Sequence, residues 1–496
     1  MSSRTQLGLE ILGTAAAVGI AGDTLLRAMP WGLNAFLCTA ALVAATTSLV
    51  RRRQMPVRAD ARWLALGALV LGSNYLARDS NTLRAYDAIG LAILGSLAAL
   101  SLRGSALRGR DAWQYVGAGL HTAASACAGV LPLLGRDVQW SELPRDGALR
   151  QVRAAAVGVV LAFPLLVVFG ALFASADPVF GQLLAKVVDV DFATLMGHML
   201  LITGGTVLAA GYLRGALLSD APTATGGTAR GLPLGIVPVG TTLGLVNLLF
   251  AVFVVIQLRY FFGGVELVQR TTGMTYATYA RHGFFELVSV SSLVLPLLLG
   301  ADWVLRDAAP AHQRAFRALA TLLLTLLAVV MASALARMRL YVHAFGLSEI
   351  RLYATAFMAY LAAVFAWFAW TALRGHSQRF AFGALVQGFA VLAGLHLLNP
   401  DAVIVRANLA SPGTERPFDW RYAAALSADG IPALLAGLPS LDPSARCAAA
   451  RGLLRRWTTL EADDWRNWNL SRARARRLLR ANWARLHAIP CQEPTP

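Results

Sequence analysis

The chain has 496 residues, of which 57% are apolar and only 14% charged, and its mean hydropathy is +0.56. Soluble proteins carry about 25% charged residues, so this composition excludes a large water-soluble enzyme and a disordered chain. The formal net charge of +17 comes almost entirely from arginine, since Lys186 is the single lysine. In so apolar a chain, we interpret the basic excess as a membrane-topology signal and expect no nucleic-acid partner.

Uncharged segments follow one another along the first 400 residues. A helix needs about 20 apolar residues to span a bilayer, which leaves room for about twelve spans. They are predicted at 7–27, 31–50, 63–76, 85–102, 112–135, 154–176, 192–213, 231–258, 283–301, 318–336, 352–373 and 380–399. The sequence therefore predicts an all-α, polytopic transmembrane helix bundle with a small C-terminal helical region.

The chain divides into three predicted regions: N-terminal spans over 1–150, a transmembrane core over 151–399, and a polar, arginine-rich helical region over 400–496. Arginines cluster at 51–53 and at 103–110, and both clusters fall on one side of the membrane if the N-terminus is cytoplasmic. With twelve spans, the C-terminus is then cytoplasmic as well. The abundance of Ala, Gly and Arg indicates a bacterial chain, so we place it in the bacterial cytoplasmic (inner) membrane.

The C-terminal region contains one basic amphipathic segment, predicted as a helix over Leu470–Leu486. Leu479, Trp483 and Leu486 are spaced to share a face, and arginines cover the remainder. Two interpretations stay open. The helix lies on an anionic membrane surface, or it belongs to a small helical domain with a solvated arginine face.

Cysteines and sequence motifs give no sign of metal or catalytic chemistry. Cys38, Cys127, Cys447 and Cys491 form no CxxC pair, and the first two fall in apolar segments, where a thiol packs as a small hydrophobic group. We therefore expect neither a structural disulfide nor a zinc site. Because HExxH, Walker A, GxSxG and GxGxxG are absent, the sequence predicts no metal, no cofactor and no catalytic residue.

Polar side chains gather in three segments beside spans, at 276–286, 337–353 and 399–408. A charge inside a span costs about 2.5–3.5 kcal/mol, so Glu286 needs a partner, and Arg339 and Arg351 are the natural candidates. We predict one ligand site built from all three segments; the alternative is that each segment only anchors a span end at the interface. The candidate site residues are Tyr276, Tyr279, Arg281, Glu286, Arg339, Tyr341, Arg351, Tyr353, Asp401, Arg406 and Asn408.

The same segments resemble an uncharacterised bacterial membrane family, the domain of unknown function 4173 and its relative 4153. The matching stretches are 279–287 (YARHGFFEL), 337–353 (RMRLY, then GL, then RLY), 399–409 (NPDAVIVRANL) and 426–434 (LSADGIPAL). Gly430 stands where the last motif usually has alanine. The resemblance covers residues 150–460 and implies a membrane fold, but no reaction.

From these observations we expect a transporter, or a membrane protein that binds an anionic ligand or lipid headgroup through its excess arginine. Alternatives are a non-catalytic signalling or scaffold subunit, whose C-terminal region binds a cytoplasmic protein, and a membrane enzyme of envelope or lipid metabolism. The predicted partners are thus the bilayer, an anionic small molecule or headgroup, and a protein.

Overall fold

The computed structural model describes residues 1–142, 162, 166, 169–170, 172–181, 192–219, 235–262, 276–306, 308–410, 418–461 and 464–490. Across these residues the chain is helical and contains no strand, so the all-α fold is confirmed. This follows from the composition, because a chain in lipid must satisfy its backbone hydrogen bonds internally, and a helix does so within one segment.

The longer helices have the following bounds: α1 Ser3–Leu26, α2 Leu33–Arg52, α3 Ala59–Ala77, α4 Asn81–Leu102, α5 Ala112–Ala128, α6 Phe192–Leu217, α7 Ile236–Phe262, α8 Tyr276–Val304, α9 Pro310–Phe345, α10 Glu349–Thr371 and α11 Phe380–Leu398. The C-terminal region contributes α12 Pro400–Leu409, α13 Trp420–Ala425, α14 Ile431–Gly437, α15 Pro443–Glu461, α16 Leu470–Ala481 and α17 Trp483–His487. Short helical turns cover Val130–Pro132, Leu133–Asp137, Trp140–Glu142, Ala372–Arg374, Ser377–Arg379, Ala428–Gly430, Leu438–Ser440 and Trp465–Asn467.

Within the described ranges, 9 helices are long and apolar enough to cross a membrane. A further span arises if α5 and the segment ending at Asp137, which meet at 57°, form one crossing. Helix α3 is not among the nine, and its first turn carries Asp60. Most of the predicted span 154–176 lies outside the described residues. The polytopic membrane bundle is therefore confirmed, whereas the count of twelve stays a prediction.

The chain forms two compact units. The first comprises Met1–Arg27, Ala41–Met55 and His121–Ser219 and is built on the pairing of α1 with α6. Asp137 is buried and forms two ion pairs: its Oδ1 lies 2.7 Å from Arg4 Nη2, and its Oδ2 lies 2.6 Å from Arg214 Nε. Each guanidinium helps to compensate the carboxylate for its lost water, as a buried charge requires.

The other end of the α1–α6 pair has its own buried acid. Asp23 is 3% exposed and lies 2.5 Å from His198 Nδ1 and 3.2 Å from Arg27 Nε. This hydrogen bond joins His198 of α6 to Asp23 of α1. Both ends of this unit are thus fixed by ion pairs around an apolar middle.

The second unit comprises Ala28–Ala40, Pro56–Leu120 and Asp220–Pro496. Its membrane core joins α7, α8, α9 and α10 around large side chains with almost no exposure, such as Phe284, Leu323 and Phe368. Helices α3, α4 and α11 pack beside it through Leu83 and Leu395.

The C-terminal region has a core of its own, and it starts directly after α11. Asn399 adopts a left-handed conformation, and its side chain accepts a hydrogen bond from Ala402 N, so α12 begins at once with Pro400 in its first turn. Ile404 and Val405 of α12 are fully buried among the apolar residues of α13–α17. The described residues between 400 and 490 therefore share one apolar core of short helices, which we call the C-terminal domain, and they belong to the same compact unit as the helices before them.

The amphipathic C-terminal segment is two helices rather than one. Helix α16 ends at Ala481, and the Asn482 side chain turns back to the Leu478 carbonyl. Leu479 and Leu486 pack in the C-terminal core at 0% and 3% exposure, whereas Trp483 is 40% exposed and does not share their face. The apolar face is therefore used inside the domain, which favours the helical-domain interpretation over a helix lying on the membrane.

The cysteine prediction was wrong at one position. Cys447 is disulfide-bonded, whereas Cys38 and Cys127 are free thiols. Cys491 lies outside the described residues. The absence of a CxxC pair misled the prediction, because a disulfide needs proximity in the fold and not in the sequence.

Candidate functional site

The connection between α3 and α4 holds a buried ion triad. Asp79 Oδ1 lies 2.5 Å from Arg84 Nη2 and 2.5 Å from Arg472 Nη1, and the three side chains are about nine-tenths buried. Asp79 Oδ2 accepts a further hydrogen bond from Ala428 N at 3.1 Å. A carboxylate in this position joins a span to helix α16 of the C-terminal region, and burial strengthens the Coulomb attraction.

A second aspartate, Asp429, also joins the two regions, but here the carboxylate belongs to the C-terminal region and the donors belong to the connection between α3 and α4. Asp429, 3% exposed, accepts hydrogen bonds from the backbone N–H groups of Asp79 at 2.6 Å and Ser80 at 3.2 Å. Ser471 Oγ donates to it at 2.7 Å, and Arg78 lies 3.5 Å away. These N–H groups begin α4 and have no partner inside the helix, so Asp429 acts as their cap.

The end of α3 is closed by the same region of the chain. Asn469 is fully buried, and its amide donates to the carbonyls of Tyr75 and Arg78, each at 2.8 Å. Arg472 also donates to backbone carbonyls, among them that of Asn467. Burial lowers the pKa of Arg472, and the charge of the neighbouring Asp79 opposes that shift.

Asp401, one of the predicted site residues, lies next to this network. It is 1% exposed, and its Oδ2 accepts hydrogen bonds from Ser427 N at 3.1 Å and from Ser427 Oγ. The Ser427 hydroxyl also lies 3.2 Å from Asp429 Oδ2. Burial raises the pKa of Asp401 to about 6, with smaller contributions from the charges of Glu349 and Asp429.

The polar network continues into the helices α4 and α11 through Asp87 and His396. Asp87 in α4 accepts hydrogen bonds from His396 Nε2 in α11 at 2.9 Å and from Asn74 at 3.3 Å. Arg78 donates to the His396 carbonyl at 2.5 Å. The pair of Asp87 and His396 thus joins α4 to α11. An acid inside a span is thus compensated, as its cost in lipid demands.

A separate cluster fixes the turn between α9 and α10. The Arg351 guanidinium stacks on the Tyr341 ring at 4.0 Å and donates to the carbonyls of Phe345 and Gly346. Asn408 in α12 holds the same turn from the other side, because its amide bonds Leu347 N at 2.6 Å and Leu347 O at 2.8 Å.

Of the predicted site residues, the structure gathers five at this end of the second unit: Tyr341, Arg351, Tyr353, Asp401 and Asn408. Tyr353 is buried and lies 3.3 Å from the Ser80 hydroxyl, which links it to the ion network.

The remaining predicted residues do not join this group. Glu286 and Arg339 are exposed, and Arg351 makes its contacts with an aromatic ring and backbone carbonyls rather than with Glu286. Arg406 is exposed and bonds only the Ala402 carbonyl of its own helix among the contacts described. The side chains of Tyr276, Tyr279 and Arg281 lie outside the described residues, so the predicted site of three segments stays a prediction.

Sequence reasoning missed most of the ion network. The residues not predicted are Arg78, Asp79, Arg84, Asp429, Asn469 and Arg472. One signal was available. Arg78 and Asp79 carry opposite charges and lie in the short connection between α3, which ends at Ala77, and α4, which begins at Asn81. Three residues are too few to keep both charges in water. Such a connection needs partners from elsewhere in the chain, and the aspartate of the 426–434 motif is one of them.

These features define the class of the protein: a polytopic α-helical membrane protein with a C-terminal helical domain tied to its span ends. The chain belongs to the family described as Domain of unknown function (DUF4153), whose model matches residues 65–437, well over half of its length. The match is to 4153, and the relation to 4173 stays a prediction. Comparison with curated proteins and with solved structures gives no match.

Gly430, which stands where the motif that this segment resembles has alanine, has room for a larger residue. A Cβ on Gly430 would lie 3.5 Å from Val405 Cγ2 and 3.6 Å from Asp401 Cβ. These are ordinary van der Waals distances, so the usual alanine would be accommodated and glycine here leaves the packing of the motif unchanged.

Proposed function

We propose that this chain is a non-catalytic signalling or scaffold subunit of the bacterial cytoplasmic membrane. Its spans anchor it, and its C-terminal domain presents a surface to a protein partner. The observation that carries the proposal is the triad of Asp79, Arg84 and Arg472, which fixes the domain to the span ends. Removing one partner of a buried ion pair costs about 3–5 kcal/mol, so the domain and its anchor are energetically coupled.

The charge balance at the network supports this function over anion transport there. The guanidinium groups of Arg78, Arg84 and Arg472 face the carboxylates of Asp79 and Asp429, with Asp401 beside them. An anion site needs arginines whose donors are available to the ligand. In this network the three arginines already form ion pairs with carboxylates of the same chain. Such pairing is expected where two parts of one chain are held together.

Photo-crosslinking in native membranes tests the proposal. A photoreactive amino acid at the exposed Arg477 of α16, in the full-length chain, is expected to give a discrete protein adduct. The same residue at the buried Ala475 of α16 is the matched control and is expected to give none. With Asp79→Asn added, the Arg477 adduct should fall at least several-fold. If exposed positions of the C-terminal domain give no protein adduct, the scaffold function is wrong.

A second candidate function is binding of an anionic lipid headgroup. It is favoured by the exposure of Arg339, near the end of α9, and of Arg406, in α12. Guanidinium groups at span ends suit phosphate, which they bind with two hydrogen bonds. Native mass spectrometry of the purified protein is expected to show retained anionic phospholipid, and the double variant Arg339→Gln/Arg406→Gln should lose it. Arg374→Gln, whose guanidinium stacks on Trp370, serves as the control.

A further inference from the structure

The spans of the second unit have two ends with different surroundings. At one end, which we call the C-terminal end, the connections 78–80 and 346–348 contact the C-terminal domain. At the other, the basic end, the connections 103–111 and 305–309 meet, since Arg306 lies 2.5 Å from Asp111. The turn at 372–379 joins them, because Arg108 lies over the Phe382 ring that follows it.

Arginine is distributed unevenly between these ends. The connections of the basic end carry Arg103, Arg108, Arg110, Arg306, Arg374 and Arg379. The described connections of the C-terminal end carry Arg78 alone, and Asp429 lies against it. The adjoining helix ends add Arg337, Arg339 and Arg351 there, and Arg314 and Arg317 at the basic end. The connection 263–275, outside the described residues, adds Arg270 to the sequence count. Short loops rich in arginine stay in the cytoplasm, so the basic end is the cytoplasmic one.

The arginines of the C-terminal domain do not reverse this assignment. The positive-inside rule counts short loops and the residues close to a span, whereas long domains are translocated largely regardless of their charge. The described residues between 400 and 490 behave as such a domain here, because they pack around an apolar core that includes Ile404, Leu453 and Leu479. The arginines on its surface therefore do not determine on which side of the membrane the domain lies.

The disulfide at Cys447 is an independent indication of the same orientation. Cys447 lies in α15 and is 8% exposed, inside the C-terminal domain. Cys38 and Cys127, which fall in or beside span segments, are free. Disulfides persist in the periplasm and outside the cell and are rare in the cytosol. Forming the bond removes two protons and two electrons from two thiols, and a disulfide-exchange oxidase of that compartment accepts them.

We infer that the C-terminal domain lies on the extracytoplasmic side of the membrane and that the basic end faces the cytoplasm. This orientation differs from the cytoplasmic C-terminus predicted from arginine counts and twelve spans. The docking surface of the domain is then presented to an extracytoplasmic protein. That location of the partner rests on the proposed function, whereas the orientation itself does not.

Cysteine accessibility in intact spheroplasts tests the orientation in the full-length chain. In a Cys38→Ser/Cys127→Ser background, one variant carries Arg477→Cys in α16 and a matched variant carries Ala106→Cys at the exposed basic end. A membrane-impermeant maleimide is expected to label Arg477→Cys in intact spheroplasts, and Ala106→Cys only after permeabilisation. The reverse pattern would overturn the inference.

Thiol alkylation of unreduced cells gives the second readout. Cys447 is expected to resist alkylation until a reductant is added, and Cys447→Ser should remove that reductant-dependent signal. Full alkylation of Cys447 without reductant would contradict the disulfide and with it this support for the orientation. If the maleimide pattern is as expected but crosslinking at Arg477 yields no protein, the orientation stands and only the partner is lost.

Discussion

Asp79 and Arg472 are separated by 393 residues of sequence, yet Asp79 Oδ1 lies 2.5 Å from Arg472 Nη1. The contact places helix α16 against the connection between α3 and α4. The neighbouring contacts serve the same two helices, because Asn469 closes the end of α3 and Asp429 caps the start of α4. Side chains of the C-terminal domain therefore pair with backbone groups at the end of α3 and just before α4 that have no partner inside these helices.

Replacing Asp79 by asparagine should destabilise the protein strongly. The buried guanidinium groups of Arg84 and Arg472 would lose the carboxylate that both contact, at a cost of about 3–5 kcal/mol. We expect a large fall in the thermal unfolding midpoint of the detergent-solubilised full-length protein.

The matched control is the more exposed pair of Asp464 and Arg466, which also lie 2.5 Å apart but with side chains about one-third exposed. Such pairs contribute about 0–1 kcal/mol. Asp464→Asn should therefore leave the midpoint nearly unchanged. Equal effects of the two substitutions would show that the triad does not bear on stability.

The fold class was predictable because the composition and the lengths of the uncharged segments can be read directly from the sequence. The network was not, since its geometry joins residues such as Arg84 and Arg472 that no local pattern connects. Glu286 shows the opposite case: an acid at the start of an apolar segment suggested a buried partner, but the side chain is exposed. Whether a charged residue is buried depends on the direction of its helix face, and that is fixed by packing between helices.

The short C-terminal helices show where local reasoning works. Pro443 occupies the first position of α15 and follows Asp442, an order that capping chemistry favours, and the Asp442 side chain accepts a hydrogen bond from Ala445 N at 2.9 Å. The break at Asn482 was not foreseen, because the hydrophobic spacing continues across it. Capping is encoded by neighbouring residues, whereas the end of α16 depends on how α17 packs against the domain core.

Asp401 should make stability depend on pH in a defined direction. Its pKa is raised from 3.8 to about 6, so between these values the folded protein holds a proton that the unfolded chain has released. Raising the pH across this window must then lower the free energy of unfolding, by about 3 kcal/mol in total. Asp401→Asn removes the titrating group and keeps an oxygen to accept from Ser427.

The measurement is the difference in thermal midpoint between Asp401→Asn and the native chain at pH 4.5, 6 and 7.5. We expect the variant to gain relative to the native chain as the pH rises and to level off above the pKa. The other carboxylates are present in both proteins, so their contributions largely cancel in the difference. A difference that is flat with pH would contradict the raised pKa.

Gly346 should not tolerate alanine. Its φ of 75° is a conformation that L side chains rarely adopt, and a Cβ would lie 2.8 Å from Asn408 Oδ1. The substitution strains the backbone by about 1–3 kcal/mol and pushes away the side chain that holds Leu347. A lower thermal midpoint is expected. Gly300→Ala in α8, where a Cβ meets nothing within 4 Å, is the control and should be neutral or slightly stabilising.

In the first unit, Gly19 permits the close approach of α1 and α6. A Cβ there would lie 2.6 Å from the Ile202 carbonyl oxygen and 2.8 Å from Thr206 N, and these backbone atoms cannot move aside without separating the helices. Small residues allow such contact between spans, so Gly19→Ala should cost about 1–3 kcal/mol through overpacking. Gly13→Ala on the same helix meets open space and is the matched control. The thermal midpoints of the two variants in detergent decide the matter: if they are equal, the helices do not pack this closely in the folded protein.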